Sequence, residues 1–169
     1  MKIKLSDIRS GFKEKFFDIS TNSIPSRGTS FKHNNIQCTL TSFTFQSNRY
    51  GLKGYVDTTI GHNCVRCLDA FESKIHLAIE ISLESNSIEE SLDPDGENVI
   101  KFSNSTDEVD IGVILADFIE LEKPMNPICK NDCLGLCVVC GINKNKTSCD
   151  CKFEEEYEVW DKLKDLEIK

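Results

Sequence analysis

Long hydrophobic runs are missing from this 169-residue chain. No apolar stretch approaches the roughly 18–20 residues that a membrane-crossing helix needs. The opening MKIKLSDIRSG has no apolar centre and no small-residue cleavage site, so it does not read as a secretory signal. These two absences predict a protein that works inside the cell. The common catalytic signatures are missing as well. There is no phosphate-cradling P-loop, no GxGxxG and no GxSxG, which removes the usual nucleotide-binding and serine-hydrolase classes. No HExxH occurs, and neither His62 nor His76 has a carboxylate at a telling spacing, so a catalytic metal centre lacks its usual donors.

What the chain has in excess is cysteine. Nine of them in a reducing compartment, where disulfides are rare, need another role, and metal ligation is the commonest. Six sit in the stretch 127–151, as Cys129, Cys133, Cys137, Cys140, Cys149 and Cys151, and a further pair is Cys64-x-x-Cys67. Cys38 has no cysteine neighbour and lies in a strand pattern, which reads as a buried structural thiol. The remaining eight are the number that two four-cysteine sites need.

Cys137, Cys140, Cys149 and Cys151 form two close pairs joined by a short loop, with Gly141 allowing a tight turn. Cys64, Cys67, Cys129 and Cys133 would make a second site joining the middle of the chain to its cysteine-rich stretch. Spacing leaves other partitions open: Cys133 with the last four, or six distal cysteines sharing fewer than two metals. The expectation is one or two structural Zn²⁺ ions. A redox reading of Cys64-Val65-Arg66-Cys67 competes, but a strand pattern follows the motif and no βαβ pattern surrounds it. His62 beside Cys64 reads as an ordinary loop histidine rather than a substitute ligand.

The periodicity predicts an α+β fold. Leu52, Val56 and Ile60 share one face of a strand, after a turn at 48–51 and a preceding strand that carries Cys38 and Leu40 against Phe43 and Phe45. Ile75, Leu77, Ile79, Ile81 and Leu83 alternate almost without fault, so Cys64-x-x-Cys67 falls in a tight connection at one end of an antiparallel sheet. In the first 31 residues, Ile3 and Leu5 suit a short strand, and Phe12, Phe16 and Phe17 suit a short helix or turn. Residues 85–108 read as a loop with a short returning strand at Val99, Ile100 and Phe102. Asp110 reads as the N-cap of a helix whose apolar face is Ile111, Ile114, Leu115, Phe118 and Ile119. Pro124 and Pro127 end it, and a second helical stripe follows at Tyr157, Trp160, Leu163 and Leu166. This divides the chain into an antiparallel sheet body with one packed helix, 1–123, and a zinc-ribbon-like appendix ending in a helix, 124–169.

Charge is uneven. Residues 1–66 hold ten Lys/Arg against four Asp/Glu, and residues 67–169 hold ten against twenty-four. A basic first half can attract phosphates and an acidic second half repels them, although an uneven solvated surface gives the same counts. No Lys/Arg block is dense enough to be a nucleic-acid footprint alone.

Four passages in order resemble the YceD family, the large ribosomal RNA subunit accumulation proteins of bacteria and plastids, in its cysteine-rich branch. They are Cys64-Val65-Arg66-Cys67-Leu68, Asp110-Ile111 with the helix and Leu121-Glu122-Lys123-Pro124, Pro127-Ile128-Cys129 with Cys133-Leu134-Gly135-Leu136-Cys137-Val138-Val139-Cys140-Gly141, and Cys149-Asp150-Cys151. Val138 replaces the family's usual Pro, and Lys144 stands where Leu is usual. The closing Tyr157-Glu158-Val159-Trp160 keeps only the Trp of a D-P-R-W pattern. The resemblance implies a non-enzymatic factor for accumulation of large-subunit (23S) rRNA, through its processing or assembly. Its partner would be that rRNA or a pre-ribosomal particle, in a bacterial cytoplasm or a plastid stroma. Arg49, Lys53 and Arg66 are the candidates for rRNA phosphate contacts. The alternative is an adaptor whose acidic half docks a basic ribosomal protein or assembly factor; a third class, a redox or metalloenzyme, would need an open metal site or a catalytic thiol.

Overall fold

Alternation of apolar and polar residues over two consecutive long segments produces the backbone of the molecule. In the computed structural model, which describes residues 1–46, 48–86, 99–103 and 105–152, strand β5 (Arg49–Asn63) pairs antiparallel with β6 (Ala70–Ser85) along its whole length. Leu52, Val56 and Ile60 of β5 share a buried face with Ile75, Leu77, Ile79, Ile81 and Leu83 of β6. Full burial of one such side chain contributes about 1.5–3 kcal/mol, so this single face anchors the fold.

The remaining elements cover that face or extend it. Strand β1 (Lys2–Lys4) leads into the short helix α1 (Leu5–Ser10), and β2 (Lys15–Ser20), β3 (Ser30–Phe31) and β4 (Asn35–Gln46) precede β5. Beyond β6 come β7 (Val99–Phe102), β8 (Glu108–Asp110) and helix α2 (Gly112–Glu122). One sheet runs β2-β4-β5-β6-β7, with β3 also paired to β5, and β1 pairs with β8 in a separate two-stranded ribbon. Leu5 and Ile8 of α1, and Ile111, Leu115 and Ile119 at and along α2, close the core over the apolar face.

Several expectations need correction in detail. Phe16 and Phe17 lie in β2, not in a helix or turn; β2 pairs with β4, Phe17 against Cys38, and Phe16 is left on the open face. The first residues hold a helix, α1, that the sequence did not announce, because six residues are too few to display helical periodicity. The sheet is not purely antiparallel: β7 returns parallel to β6, with Ser82 opposite Val99. Parallel return requires a crossover rather than a hairpin. In β4, Phe43 and Phe45 alternate away from Cys38 and Leu40 as expected, and a register shift against β5 falls between Thr44 and Gln46. Asp110 does accept a helix-start N–H, from Gly112 at 2.9 Å, but from one position before the helix's own N-cap, Ile111. The expected closing helix, with Tyr157, Trp160, Leu163 and Leu166, lies outside the described residues. No helix among the described residues is long and apolar enough to cross a membrane.

Candidate metal centre

The end of the β5–β6 hairpin is a six-residue connection, 64–69, closed by two backbone bonds: Cys64 N–H donates to Asp69 O at 2.9 Å, and Leu68 N–H to Cys64 O at 2.9 Å. The second bond folds Cys64 and Cys67 into one turn, and Leu68 takes a positive φ of 62° to leave it. The same construction recurs downstream. Gly141 N–H donates to Cys137 O at 2.9 Å, and Gly141 leaves that turn at φ 75°. Each turn thus sets two sulfurs side by side, with the backbone N–H groups inside the turn aimed at the first of them.

The cysteine-rich stretch then brings these turns their partners. Val65 N–H donates to Pro127 O at 2.9 Å, and Leu136 N–H to Arg66 O at 3.0 Å, so the chain docks on the hairpin connection on both sides of Cys129 and Cys133. Cys64 Sγ lies 3.8 Å from Cys133 Sγ, and Cys67 Sγ 3.7 Å from Cys129 Sγ. All four sulfurs of this first group lie within 4.8 Å of one another, as do those of a second group, Cys137, Cys140, Cys149 and Cys151. This partition is one of those the spacing left open; the geometry does not pair Cys133 with the distal four.

These separations are too long for disulfides, which hold sulfurs about 2.05 Å apart, and all nine cysteines are free. They do fit a metal: a tetrahedron with metal–sulfur bonds of about 2.3 Å has edges of about 3.8 Å. Electrostatics point the same way. In the first group, burial alone would push the Cys64 thiol up, but backbone N–H groups of Cys129, Cys67 and Arg66 bring it down to about 6. Cys129 is pushed up to about 12, by burial and then by the neighbouring Cys133, Cys64 and Cys67. In the second group the Cys140 and Val139 N–H groups bring Cys137 down to about 6, whereas Cys140, burial and Cys149 raise Cys151 to about 12. Four sulfurs gathered this closely cannot all ionise against each other's repulsion, and a divalent cation is what would allow it. Both groups could therefore hold a metal ion, and each offers four soft donors of one kind.

Cys38 stands apart. It is fully buried in the sheet body, and burial, then the Asp57 charge, push its thiol up to about 12. His62 does not approach either group as a ligand: its Nε2 is 2.9 Å from Ser73 Oγ and its ring tilts over Phe71. The three basic residues singled out from the sequence are not brought together. Arg66 lies in the first cysteine turn, with Nη1 donating to Cys133 O at 3.3 Å. Lys53 is exposed on the open face of the sheet, 5.4 Å above the Phe43 ring. Arg49 opens β5 at the opposite end from the cysteines, partly buried, with Nε 3.7 Å from Glu84 Oε1. Sequence reasoning missed Asn143 and Asn145 as working parts of the centre. Asn143 Nδ2 donates to Asp69 Oδ2 at 2.9 Å, and Asn145 Nδ2 to Cys133 Sγ at 3.4 Å. Two asparagines flanking one residue between cysteine pairs were the available signal.

The chain has named relatives. It is 39% identical over 62 residues to the Large ribosomal RNA subunit accumulation protein YCED homolog 1, chloroplastic, of Arabidopsis thaliana, covering 37% of this chain and 19% of that protein. The protein of the same name from Zea mays is 28% identical over 135 residues, 64% of this chain and 46% of the relative. An uncharacterized protein of Mycobacterium tuberculosis is 29% identical over 86 residues, 50% of this chain and 39% of the relative. The chain thus matches less than half the length of each of these relatives. No solved structure matches. The family model for Large ribosomal RNA subunit accumulation protein YceD matches residues 52–167, a span that includes all but the first three residues of the hairpin, helix α2 and both cysteine groups, and the chain belongs to that family.

Proposed function

We propose that this chain is a non-enzymatic, zinc-stabilised factor that promotes accumulation of large-subunit 23S rRNA, in its processing or in assembly of the subunit. The observation that carries this reading is the family match across residues 52–167, which takes in both four-sulfur groups. Eight cysteines used as two closed sets of four leave no open coordination position, which a catalytic metal would need. Zinc is the metal that four thiolates at tetrahedral spacing suit best, and bound there it supplies a rigid cross-link. The ligands would be Cys64, Cys67, Cys129 and Cys133 in one site, and Cys137, Cys140, Cys149 and Cys151 in the other. The first would hold an appendix, 124–169, to a sheet body, 1–123, and the second would close part of that appendix on itself.

The partner in this reading is large-subunit rRNA or a pre-ribosomal particle, in a bacterial cytoplasm or a plastid stroma. Lys53 and Arg66, both exposed, are the first candidates for phosphate contacts, with Arg49 the third at the far end of β5. The test is the salt dependence of affinity for a large-subunit rRNA fragment. Lys53→Glu and Arg66→Glu should each weaken binding and flatten the log–log salt slope by about 0.7–0.9. Unchanged affinity and slope would remove direct RNA contact. A basic protein still recovered with the chain after nuclease treatment would favour the adaptor reading, in which the acidic half docks a ribosomal protein or assembly factor.

A further inference from the structure

The loop that joins the two halves of the second cysteine group also grips the first. It runs from Gly141 to Cys149, yet its side chains spend their hydrogen bonds on the other centre. Asn145 Nδ2 donates to Cys133 Sγ at 3.4 Å, and Asn145 Oδ1 accepts from Leu134 N–H at 3.0 Å. Asn143 Nδ2 donates to Asp69 Oδ2 at 2.9 Å and to Cys67 O at 3.5 Å. Lys146 Nζ pairs with Asp69 Oδ1 at 2.7 Å. Asn143 Oδ1 in turn accepts from Asn145 N–H at 2.9 Å and from Asn145 Nδ2 at 3.0 Å. Both Asn145 amide hydrogens and its oxygen are thereby engaged, so the side chain has one orientation available.

This loop has little apolar material to fold by itself, with Ile142 its only large apolar residue. Backbone bonds tie its first part to the chain before it, Cys137 N–H to Ile142 O at 2.8 Å and Lys144 N–H to Gly135 O at 2.9 Å, and closure of Cys137 and Cys140 against Cys149 and Cys151 would fix its far end. When closed, it presents Asn145 to a sulfur of the other group and Asn143 and Lys146 to the residue two beyond Cys67. We infer that the two centres are coupled: metal in the second group raises the first group's metal affinity, through Asn145 as a positioning residue on Cys133. Coupling of equilibrium affinities is reciprocal, so metal in the first group strengthens the second by the same factor. The inference rests on the reading that both groups hold metal, and the test separates the two.

The full chain, stripped of metal, is titrated with Zn²⁺ against a chromophoric chelator. The wild type takes two equivalents. Cys149→Ser with Cys151→Ser takes one, at the first group, held about 10-fold more weakly than in the wild type, within the range that loss of an outer partner produces. Asn145→Ala keeps two equivalents and shows the same weakening. Adding Asn145→Ala to the double serine variant changes little more, a non-additivity that a general loss of stability would not produce. Asn145→Asp preserves the side chain's volume but sets an acceptor against the sulfur, and weakens binding at least as much. Sheet content by circular dichroism confirms that each variant folds. Two equivalents with wild-type affinity in Asn145→Ala and Asn145→Asp, or simple additivity in the combined variant, would overturn the coupling alone. A wild type that takes up no zinc would overturn the metal reading and the coupling together.

Discussion

The two cysteine groups use the same turn and the same four donors, but they sit in opposite surroundings. The first joins residues far apart in sequence, Cys64 with Cys133 across 69 positions and Cys67 with Cys129 across 62. The second is local, contained in residues 137–151. In the first group Cys64, Cys67 and Cys133 are buried and Cys129 is half-buried, whereas in the second only Cys137 is buried, Cys149 is half-buried, and Cys140 and Cys151 are exposed. Chain entropy explains little of the contrast, because closing the longer loop costs only about 1–2 kcal/mol more than the shorter one. What differs is preparation. Half of the first group stands on the end of a hairpin whose two strands are already fixed by their buried face. The second group stands on no such hairpin; its own turn, closed by the Gly141–Cys137 bond, and its loop's bonds to Asp69 and Cys133 are what position it. A non-local site can therefore be the better prepared one.

The largest effect should come from taking one thiolate from each group in turn. Cys67→Ala should lose one zinc and release the cysteine-rich stretch from the hairpin, at a cost on the order of several kcal/mol. Hydrogen exchange would show lost protection at Val65 and Leu136, whose N–H groups bond across that junction to Pro127 and Arg66. Cys140→Ala should lose one zinc but leave the Val65 amide protected. Equal loss of protection in both variants would erase the distinction between the groups.

Cys38 offers the control of a thiol outside both. Its pKa is raised from an ordinary 9.0 to about 12 by burial and then by Asp57. The folded state holds this proton more tightly, so the stabilisation is complete below about pH 9 and is lost as pH rises toward 12. Stability should therefore fall by on the order of 1 kcal/mol per pH unit above 9, and Cys38→Ala should remove that part of the slope in denaturant titrations. Thiol reagents should spare Cys38 in the native protein stripped of metal while reaching Cys140 and Cys151.

How much of this was legible in the sequence follows the same local and non-local divide. The alternation of Ile75 through Leu83 declared β6, and the CxxC position at the end of its hairpin followed directly. The second group's close pairs could be read off as neighbours. The first group could only be offered as one partition among several, because pairing Cys64 with Cys133 depends on where β5, α2 and Pro127 put the chain. Short elements were only partly legible, for a different reason. The short strand expected at Ile3 is β1, but helix α1 takes over from Leu5 and is too short, at six residues, to leave a periodic signal, and the pairing of β1 with β8, more than a hundred residues away, leaves none either. The flanking asparagines were in view, but the bond from Asn145 to Cys133 did not follow from them, because asparagine between cysteines reads equally well as a turn residue.

A smaller effect tests the docking of the two groups on each other. Gly135 has φ 72°, and a Cβ there would come within 3.1 Å of Arg66 O, on the turn of the first group. Gly135→Ala combines left-handed strain of about 1–2 kcal/mol with a displaced Leu136–Arg66 bond. Zinc release from the first group should quicken, and an unchanged rate would mean that this contact does not bear on the site.

The smallest effect compares the turns themselves. Gly141 and Leu68 hold the same place, each donating its N–H to the carbonyl of the turn's first cysteine, and both have positive φ. A Cβ at Gly141 meets nothing within 4 Å, so Gly141→Ala adds only conformational strain, about 1 kcal/mol. That should weaken zinc at the second group about fivefold. Leu68 already bears that strain, and with its side chain 65% exposed it has little packing to lose. Leu68→Gly should therefore stabilise the first turn, by up to about 1 kcal/mol once the greater freedom of glycine in the unfolded chain is offset. The opposite signs are the point of the pair. If Leu68→Gly destabilises instead, the Leu68 side chain contributes to the first centre through a contact worth more than the strain it carries, and the two turns are not equivalent.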